Sequence, residues 1–222
     1  MAVQREVAER WKKVTGHPIT QAYGLTETSP GVTINPFTLQ DFNGSIGLPI
    51  PSTTVSIRDE SGRDLPVGEE GEICVRGPQV MKGYWHRADE THEVFHPDGF
   101  LRTGDLGKMN AEGYVFLLDR KKDMIKVSGF NVYPNEVEDV VAHHPGVREV
   151  AAIGVEDPHS GQAIKLFVVR KDQGLTTDDL LNYCRTQLTG YKIPRHVEFR
   201  EELPHTNVGK ILRRALKEDS GK

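Results

Sequence analysis

Between Gly44 and Leu118 the chain reads as short strands broken by turns, and this restricts what about a third of it can fold into. Thr54 to Arg58, Gly71 to Arg76 and Tyr114 to Leu118 carry the apolar and β-branched residues of strands. Asp59-Glu60-Ser61-Gly62, Asp98-Gly99 and Glu112-Gly113 are turn sequences between them. Evenly spaced short strands of this kind predict a small β-barrel or sandwich.

The flanking sequence has a different period. Val3, Val7, Trp11 and Val14 recur at helical spacing, which predicts an amphipathic helix ending near Gly16. Ile19 to Tyr23 then reads as a short buried strand delivering a Gly24-Leu25-Thr26-Glu27 turn. After Asp119 helices and strands alternate. Met124 to Val127 is a strand, and Pro134 starts a helix with Val137, Val140 and Val141 on one face. Val147 to Val155 and Ala163 to Val169 are β-rich runs. Thr177 is expected to cap a helix carrying Leu180, Leu181, Cys184 and Leu188, with Asp178 and Asp179 in its first turn. Val197 to Phe199 is a last strand and Ile211 to Lys217 a last, basic helix. These patterns place a domain boundary at Leu118 to Asp119, ahead of an α+β domain of ordinary size.

Composition narrows the function. A hydrophobic fraction of 36% over 222 residues supports a buried core. No apolar run approaches the roughly 20 residues of a membrane helix, and the N-terminus is too charged for a secretory signal. A net charge of -4 argues against nucleic acid as partner. Cys74 and Cys184 lie far apart and read as reduced core thiols of a cytoplasmic protein. His92 and His96 have the spacing of one helix face, but no third ligand accompanies them and Pro97-Asp98-Gly99 interrupts a helix, so they read as loop and surface histidines.

The chemistry concentrates between Asp98 and Tyr133. Asp105 stands in a Thr103-Gly104-Asp105 turn, followed by Asp119-Arg120, a lysine pair and a Ser128-Gly129 turn. A carboxylate in a tight turn can accept bonds from two neighbouring hydroxyls, such as those of a ribose. An arginine fork suits a ribose oxygen or a phosphate. Loops at strand ends can present such groups on a rigid support.

This stretch resembles the signature region of fatty acyl-CoA synthetases in the adenylate-forming superfamily, and Asn131 to Glu138, Gln187 to Lys192 and Asn207 to Arg214 resemble the bacterial long-chain fatty acid–CoA ligases. Gln21-Ala22-Tyr23-Gly24-Leu25-Thr26-Glu27 resembles the family's adenine and magnesium motif. Gly71-Glu72-Ile73-Cys74-Val75-Arg76-Gly77 with Gly83-Tyr84-Trp85 resembles the next core motif, and Leu203 to Ile211 the C-terminal lysine motif. The resemblance implies the end of an N-terminal α/β subdomain over residues 1–43, a β-barrel-like subdomain over 44–118, and a complete small α+β domain over 119–222. It implies a fold of α/β and α+β parts, with ATP/AMP, Mg2+ and coenzyme A as ligands and a fatty acid as substrate.

Residue by residue, the resemblance puts Tyr23 and Gly24 against adenine, Thr26 on the α-phosphate, Glu27 on Mg2+ and Asp105 on the ribose hydroxyls. Arg120 would contact ribose or phosphate from the start of the small domain, Ser128 and Gly129 the pantetheine arm, and Lys210 the reacting carboxylate and α-phosphate. Lys122 takes the hinge position, with Lys121 and Asp123 as alternatives. Each has a plainer reading. Tyr23 fits a core tyrosine, Thr26-Glu27 a simple turn, and Asp105 a turn aspartate bonding its own backbone. Arg120 fits a surface pair with Asp119 or Asp123, Ser128-Gly129 an ordinary turn, and Lys210 a solvated lysine beside Arg213, Arg214 and Lys217. The family's Ser/Thr/Gly-rich phosphate loop is not found in these 222 residues. The expectation is a C-terminal portion inactive alone, with an N-terminal half as missing partner. Peripheral association with the inner membrane stays open, as do a noncatalytic nucleotide- or coenzyme-A-binding role and a carrier-loading adenylation domain.

Overall fold

The computed structural model describes residues 3–207 and 209–220. Its contacts divide the chain into two compact units that part between Lys121 and Lys122.

The first unit opens with α1 (Arg5–Thr15), ended by Gly16, whose N–H donates to Lys12 O at 2.8 Å. The helix is where its spacing predicts, but its apolar stripe is not the covered face. Ala8 is buried, while Val7, Trp11 and Val14 are exposed. β1 (Ala22–Gly24), β2 (Gly31–Ile34) and β3 (Leu48–Pro49) form an antiparallel sheet in that order. β1 is shorter than the expected strand from Ile19, and Ala22 and Gly24 are exposed.

A second sheet is an antiparallel meander of β4 (Thr54–Arg58), β5 (Gly71–Arg76), β6 (Leu101–Met109) and β7 (Val115–Arg120). A short helix, α2 (Ala88–Val94), sits in the β5–β6 connection. The expected barrel is therefore corrected: among the described residues these four strands form an open sheet, since β4 and β7 do not pair and closure requires a continuous staggered ladder. Val32, Ile46, Ile57, Ile73, Val75 and Val115 make a shared core.

The second unit is built on a mixed sheet. β8 (Ile125–Val127) and β9 (Phe130–Val132) form a hairpin, followed by α3 (Pro134–Ala142) with proline in its first turn. β10 (Val147–Asp157) and β11 (Gly161–Arg170) pair antiparallel over their length. α4 (Thr177–Gln187) then leads to β12 (His196–Arg200), which returns parallel to β11, and α5 (Arg213–Ser220) closes the described chain. The α4 cap is Thr176 rather than Thr177. Its hydroxyl oxygen accepts from Asp179 N and its own N–H donates to Asp179 Oδ2, both at 3.2 Å, a reciprocal capping box.

Alternation explains the long apolar runs of β10 and β11. Val150, Ala152, Ile164, Leu166 and Val168 face a core that includes Val137, Val141, Leu180 and Cys184 of α3 and α4. Ala151, Ile153, Phe167 and Val169 face the other core, with Leu203 and Leu216. Both sheet faces are covered, so period-two alternation appears as continuous hydrophobicity. No helix among the described residues is long and apolar enough to cross a membrane.

Candidate functional site

In the first unit, the β1–β2 turn positions the first group of side chains. A Cβ on Gly24 would lie 1.7 Å from Pro30 O, so only glycine lets the two sides of this turn approach. Within it, the buried Thr28 hydroxyl accepts from Leu25 N at 2.9 Å and donates toward Pro30 O at 2.5 Å. Residues Thr26–Thr28 form a single helical turn that leaves Thr26 exposed and Glu27 half-buried.

Tyr23 and Asp105 meet across 82 residues of sequence: the phenol O–H donates to Asp105 Oδ2 at 2.6 Å. Asp105 is not in a turn. It lies within β6, where the strand is kinked at Gly104 and the β5–β6 register shifts between Glu72 and Cys74. Thr103 holds this kink by donating to Ile73 O at 2.7 Å and accepting from Asp105 N at 3.1 Å. Asp105 is paired in register with Arg120 of β7, whose Nε lies 3.8 Å from Asp105 Oδ1. Arg120 thus belongs to the last strand of the first unit, not to the start of the second, because ladder pairing extends β7 past the expected boundary. Its N–H donates to Asp119 Oδ1 at 2.8 Å, while its guanidinium stays largely exposed.

The electrostatics follow from this packing. Burial, then the Asp105 charge, pushes the Tyr23 phenol well above its ordinary value, so it remains a donor. Burial pushes the Asp105 carboxyl up, while the Tyr23 bond and Arg120 oppose the shift. The result is a shielded carboxylate beside an aromatic ring and an exposed arginine. This combination can accept a vicinal diol and counter a nearby anion.

Glu27 has a partner that sequence reasoning gave no role. Tyr84 O–H donates to Glu27 Oε1 at 2.9 Å. One carboxylate held this way fits Mg2+, which commonly uses one or two carboxylates together with substrate phosphates and water. Among the described residues no group of three or more His, Cys, Asp or Glu is arranged to hold a metal. His92 lies in α2 and His96 beyond its end, with His96 Nε2 3.6 Å from Cys74 Sγ. Burial pushes the Cys74 thiol up to about 12 and the Cys184 thiol up to about 11, which keeps both protonated and poor nucleophiles. Glu72 is a second residue without an earlier role. It is buried, accepts from Gly104 N at 3.1 Å and pairs with Lys121 at 3.4 Å. Strand register makes that cluster, and local sequence gives no sign of it.

The remaining candidates belong to the second unit. Ser128 and Gly129 are the two-residue loop of the β8–β9 hairpin, with φ of 51° and 86°. Left-handed backbone at both positions is what a tight hairpin turn requires. Both are exposed, and Ser128 N donates to Ser160 O at 2.8 Å. Lys122 is exposed, and its neighbour Asp123 accepts from Lys217 Nζ at 2.8 Å. Lys210 closes a small loop: its N–H donates to Thr206 Oγ1 at 3.1 Å and its carbonyl accepts from Thr206 N at 2.7 Å. Its side chain is exposed. Val208, part of the motif quoted for this loop, lies outside the described residues. The first unit therefore brings Tyr23, Asp105 and Arg120 together and carries Glu27 four residues after Tyr23. The second unit carries Lys122, Ser128, Gly129 and Lys210.

Comparison with known proteins gives a consistent assignment. Residues 1–85 match the model for the AMP-binding enzyme, and residues 136–210 that for the AMP-binding enzyme C-terminal domain. The chain is 56% identical over 220 residues to a long-chain-fatty-acid–CoA ligase of Escherichia coli O6:H1, covering 99% of this chain and 39% of that protein. It is 44% identical over 200 residues to a feruloyl-CoA synthase of an Amycolatopsis species, covering 89% of this chain and 40% of the relative. Among solved structures, ATP-bound MatB from Rhodopseudomonas palustris is 38% identical with a TM-score of 0.92, over 98% of this chain and 44% of that one. The o-succinylbenzoate CoA synthetase of Bacillus subtilis, in complex with its acyl-adenylate intermediate OSB-AMP, is 35% identical with a TM-score of 0.87, over 98% and 44%. The chain spans 39% of the length of the E. coli ligase it matches. With both models matched in order and the identity sustained over nearly all of the sequence, the chain belongs to the AMP-binding enzyme family.

Proposed function

We propose that the chain serves an ATP-dependent ligation of a long-chain fatty acid to coenzyme A. The fatty acid carboxylate attacks the α-phosphate of ATP, forming acyl-adenylate and releasing pyrophosphate. The coenzyme A thiol then attacks the acyl carbon, gives up its proton, and displaces AMP. The observation that carries this reading is the Tyr23–Asp105–Arg120 cluster. It sets an aromatic ring, a shielded carboxylate and an exposed guanidinium side by side, the three groups an adenosine monophosphate moiety asks for.

In this reading Tyr23 and Gly24 line the adenine, Asp105 accepts the ribose hydroxyls, and Arg120 steadies ribose or phosphate. Thr26 donates to the α-phosphate. Glu27 would hold Mg2+, which supplies charge neutralisation for the phosphates when bound. Lys210 offsets charge on the reacting carboxylate and α-phosphate as a point charge on a flexible stem. Ser128 and Gly129 lie along the pantetheine arm, and Lys122 is the hinge. Catalysis of this kind comes from positioning and charge stabilisation rather than from a nucleophilic side chain. Residues 1–121 then continue an AMP-binding domain, with 1–43 ending its α/β subdomain, and 122–222 form its C-terminal domain. We place the protein in the cytoplasm.

The test has two arms. Calorimetric titration with AMP should show binding, weakened about tenfold or more in Tyr23→Ala and Arg120→Ala, in line with loss of stacking or of a charged hydrogen bond. No AMP binding, or variants indistinguishable from the parent, would overturn the nucleotide site. ATP–pyrophosphate exchange with palmitate should stay at background for the 222-residue polypeptide and appear on adding a polypeptide that supplies a phosphate loop. Exchange by the 222 residues alone would sink the inactive-portion reading. AMP binding without exchange in either case would favour a noncatalytic nucleotide-binding role.

A further inference from the structure

Two loops of the first unit are stitched together at Glu27. Met81 N donates to Glu27 O at 2.8 Å, Gln79 Nε2 donates to Gly31 O at 3.0 Å, and Tyr84 O–H donates to Glu27 Oε1 at 2.9 Å. Tyr84 is itself anchored. Its N–H donates to Thr91 Oγ1 at 2.9 Å, and the Thr91 hydroxyl donates to Arg87 O at 2.7 Å.

An ionised glutamate is acceptor-only, with two oxygens, and the Tyr84 bond engages one of them. A long side chain left free loses rotamer freedom when it binds a cation, and a carboxylate already hydrogen-bonded has lost much of it beforehand. Partners that orient a metal ligand in this way contribute to affinity without touching the metal.

We infer that Tyr84 is a positioning residue for a divalent cation: its phenol fixes the Glu27 carboxylate so that the second oxygen is presented to the cation accompanying the nucleotide phosphates. Thr91 holds Tyr84 in place from behind. This rests on the reading of Glu27 as the cation ligand.

The probe is Mn2+·ATP, followed by the enhancement of water proton relaxation as the 222-residue protein is titrated. Tyr84→Phe should weaken Mn2+·ATP binding on the order of tenfold, while calorimetry with ATP in EDTA shows metal-free affinity unchanged. Thr91→Val, which keeps the phenol but loosens its backbone, should shift binding the same way by less. Glu27→Gln separates the two readings. If it leaves Mn2+·ATP binding intact, or if the parent protein shows none, the Glu27 assignment fails and this inference with it. If Glu27→Gln weakens binding but Tyr84→Phe and Thr91→Val do not, the role of Tyr84 is overturned while Glu27 stands. Circular dichroism melts confirm that the variants fold, and Thr91→Val carries the comparison should Tyr84→Phe melt early.

Discussion

Asp105 is 8% exposed, and its carboxyl is pushed above the ordinary value by burial even though Tyr23 and Arg120 favour its charge. A carboxyl whose folded-state pKa is raised adds stability below its unfolded value, 3.8, and that stability is lost as pH rises through the folded value. Above the folded value the ionised side chain is therefore held at a cost to the apo protein. Asparagine in its place keeps an acceptor for the Tyr23 phenol without the charge. We expect Asp105→Asn to remove the stability lost as pH rises through the folded value, to leave the thermal midpoint above that value unchanged or raised, and to weaken AMP binding roughly ten- to a hundredfold. Melting curves across pH, beside AMP titrations, check this. A midpoint at pH 7 lowered as far as in Asp105→Ala would mean that the charge anchors the fold instead. The types of residue at Tyr23, Asp105 and Arg120 are legible in the sequence because each sits in a short motif. The bond between Tyr23 and Asp105 is not, because it spans 82 residues and no local pattern encodes it. Tyr84 is hidden for the same reason, its partner lying 57 residues away.

At the level of elements, the second unit is tied together by one buried glutamate. Glu138 of α3 accepts from Ala152 N of β10 at 2.8 Å and from Arg213 of α5 at 3.0 Å and 2.5 Å, and Arg213 also donates to Asn135 Oδ1 at 2.7 Å. Glu138 is 2% exposed and Arg213 9%. Removing one member of such a pair strands the other, so Glu138→Ala should destabilise the unit by about 3–5 kcal/mol, whereas replacing both by Leu and Met should recover much of the loss. Urea unfolding measures both. A loss below about 1 kcal/mol in Glu138→Ala, the scale of an exposed pair, would show the pair to be effectively solvated. α5 follows the Lys210 loop, and Leu212 N donates to Pro204 O at 2.7 Å, so this tie also fixes the base of that loop. Elements with a clear period are legible in sequence: α1, α3, α4, β10 and β11 fall close to where periodicity puts them. β6 is misread because Thr103-Gly104-Asp105 has the local chemistry of a turn, while pairing with β5 on either side of this kink and with β7 from Asp105 onward keeps it within one strand. The barrel is misread because strand spacing reports turns, not whether the edge strands meet.

On the scale of the molecule, the two units differ in how their apolar surface is covered. In the second, α3 and α4 cover one face of the β10–β11 sheet and α5 helps cover the other, so both faces of its sheet are covered by its own sequence. In the first, Val14 is 80% exposed, Phe37 85% and Trp85 87%, and the α1 stripe of Val7, Trp11 and Val14 has helical spacing without a buried face. Burial on the order of 25 cal/mol per Å2 is what offsets chain entropy, so the second unit should fold alone and the first should be only marginally stable by itself. A polypeptide of residues 122–222 is expected to give dispersed amide resonances and a single urea transition matching the later transition of the whole chain. Residues 3–121 alone are expected to bind an apolar dye and to unfold at lower urea. The cut belongs at Lys122 because β7 and its pairing with Asp105 extend through Arg120. Limited proteolysis provides the independent check. Survival of the N-terminal rather than the C-terminal fragment would reverse the assignment, and would mean that the exposed stripe of α1 costs the first unit less than its internal core supplies.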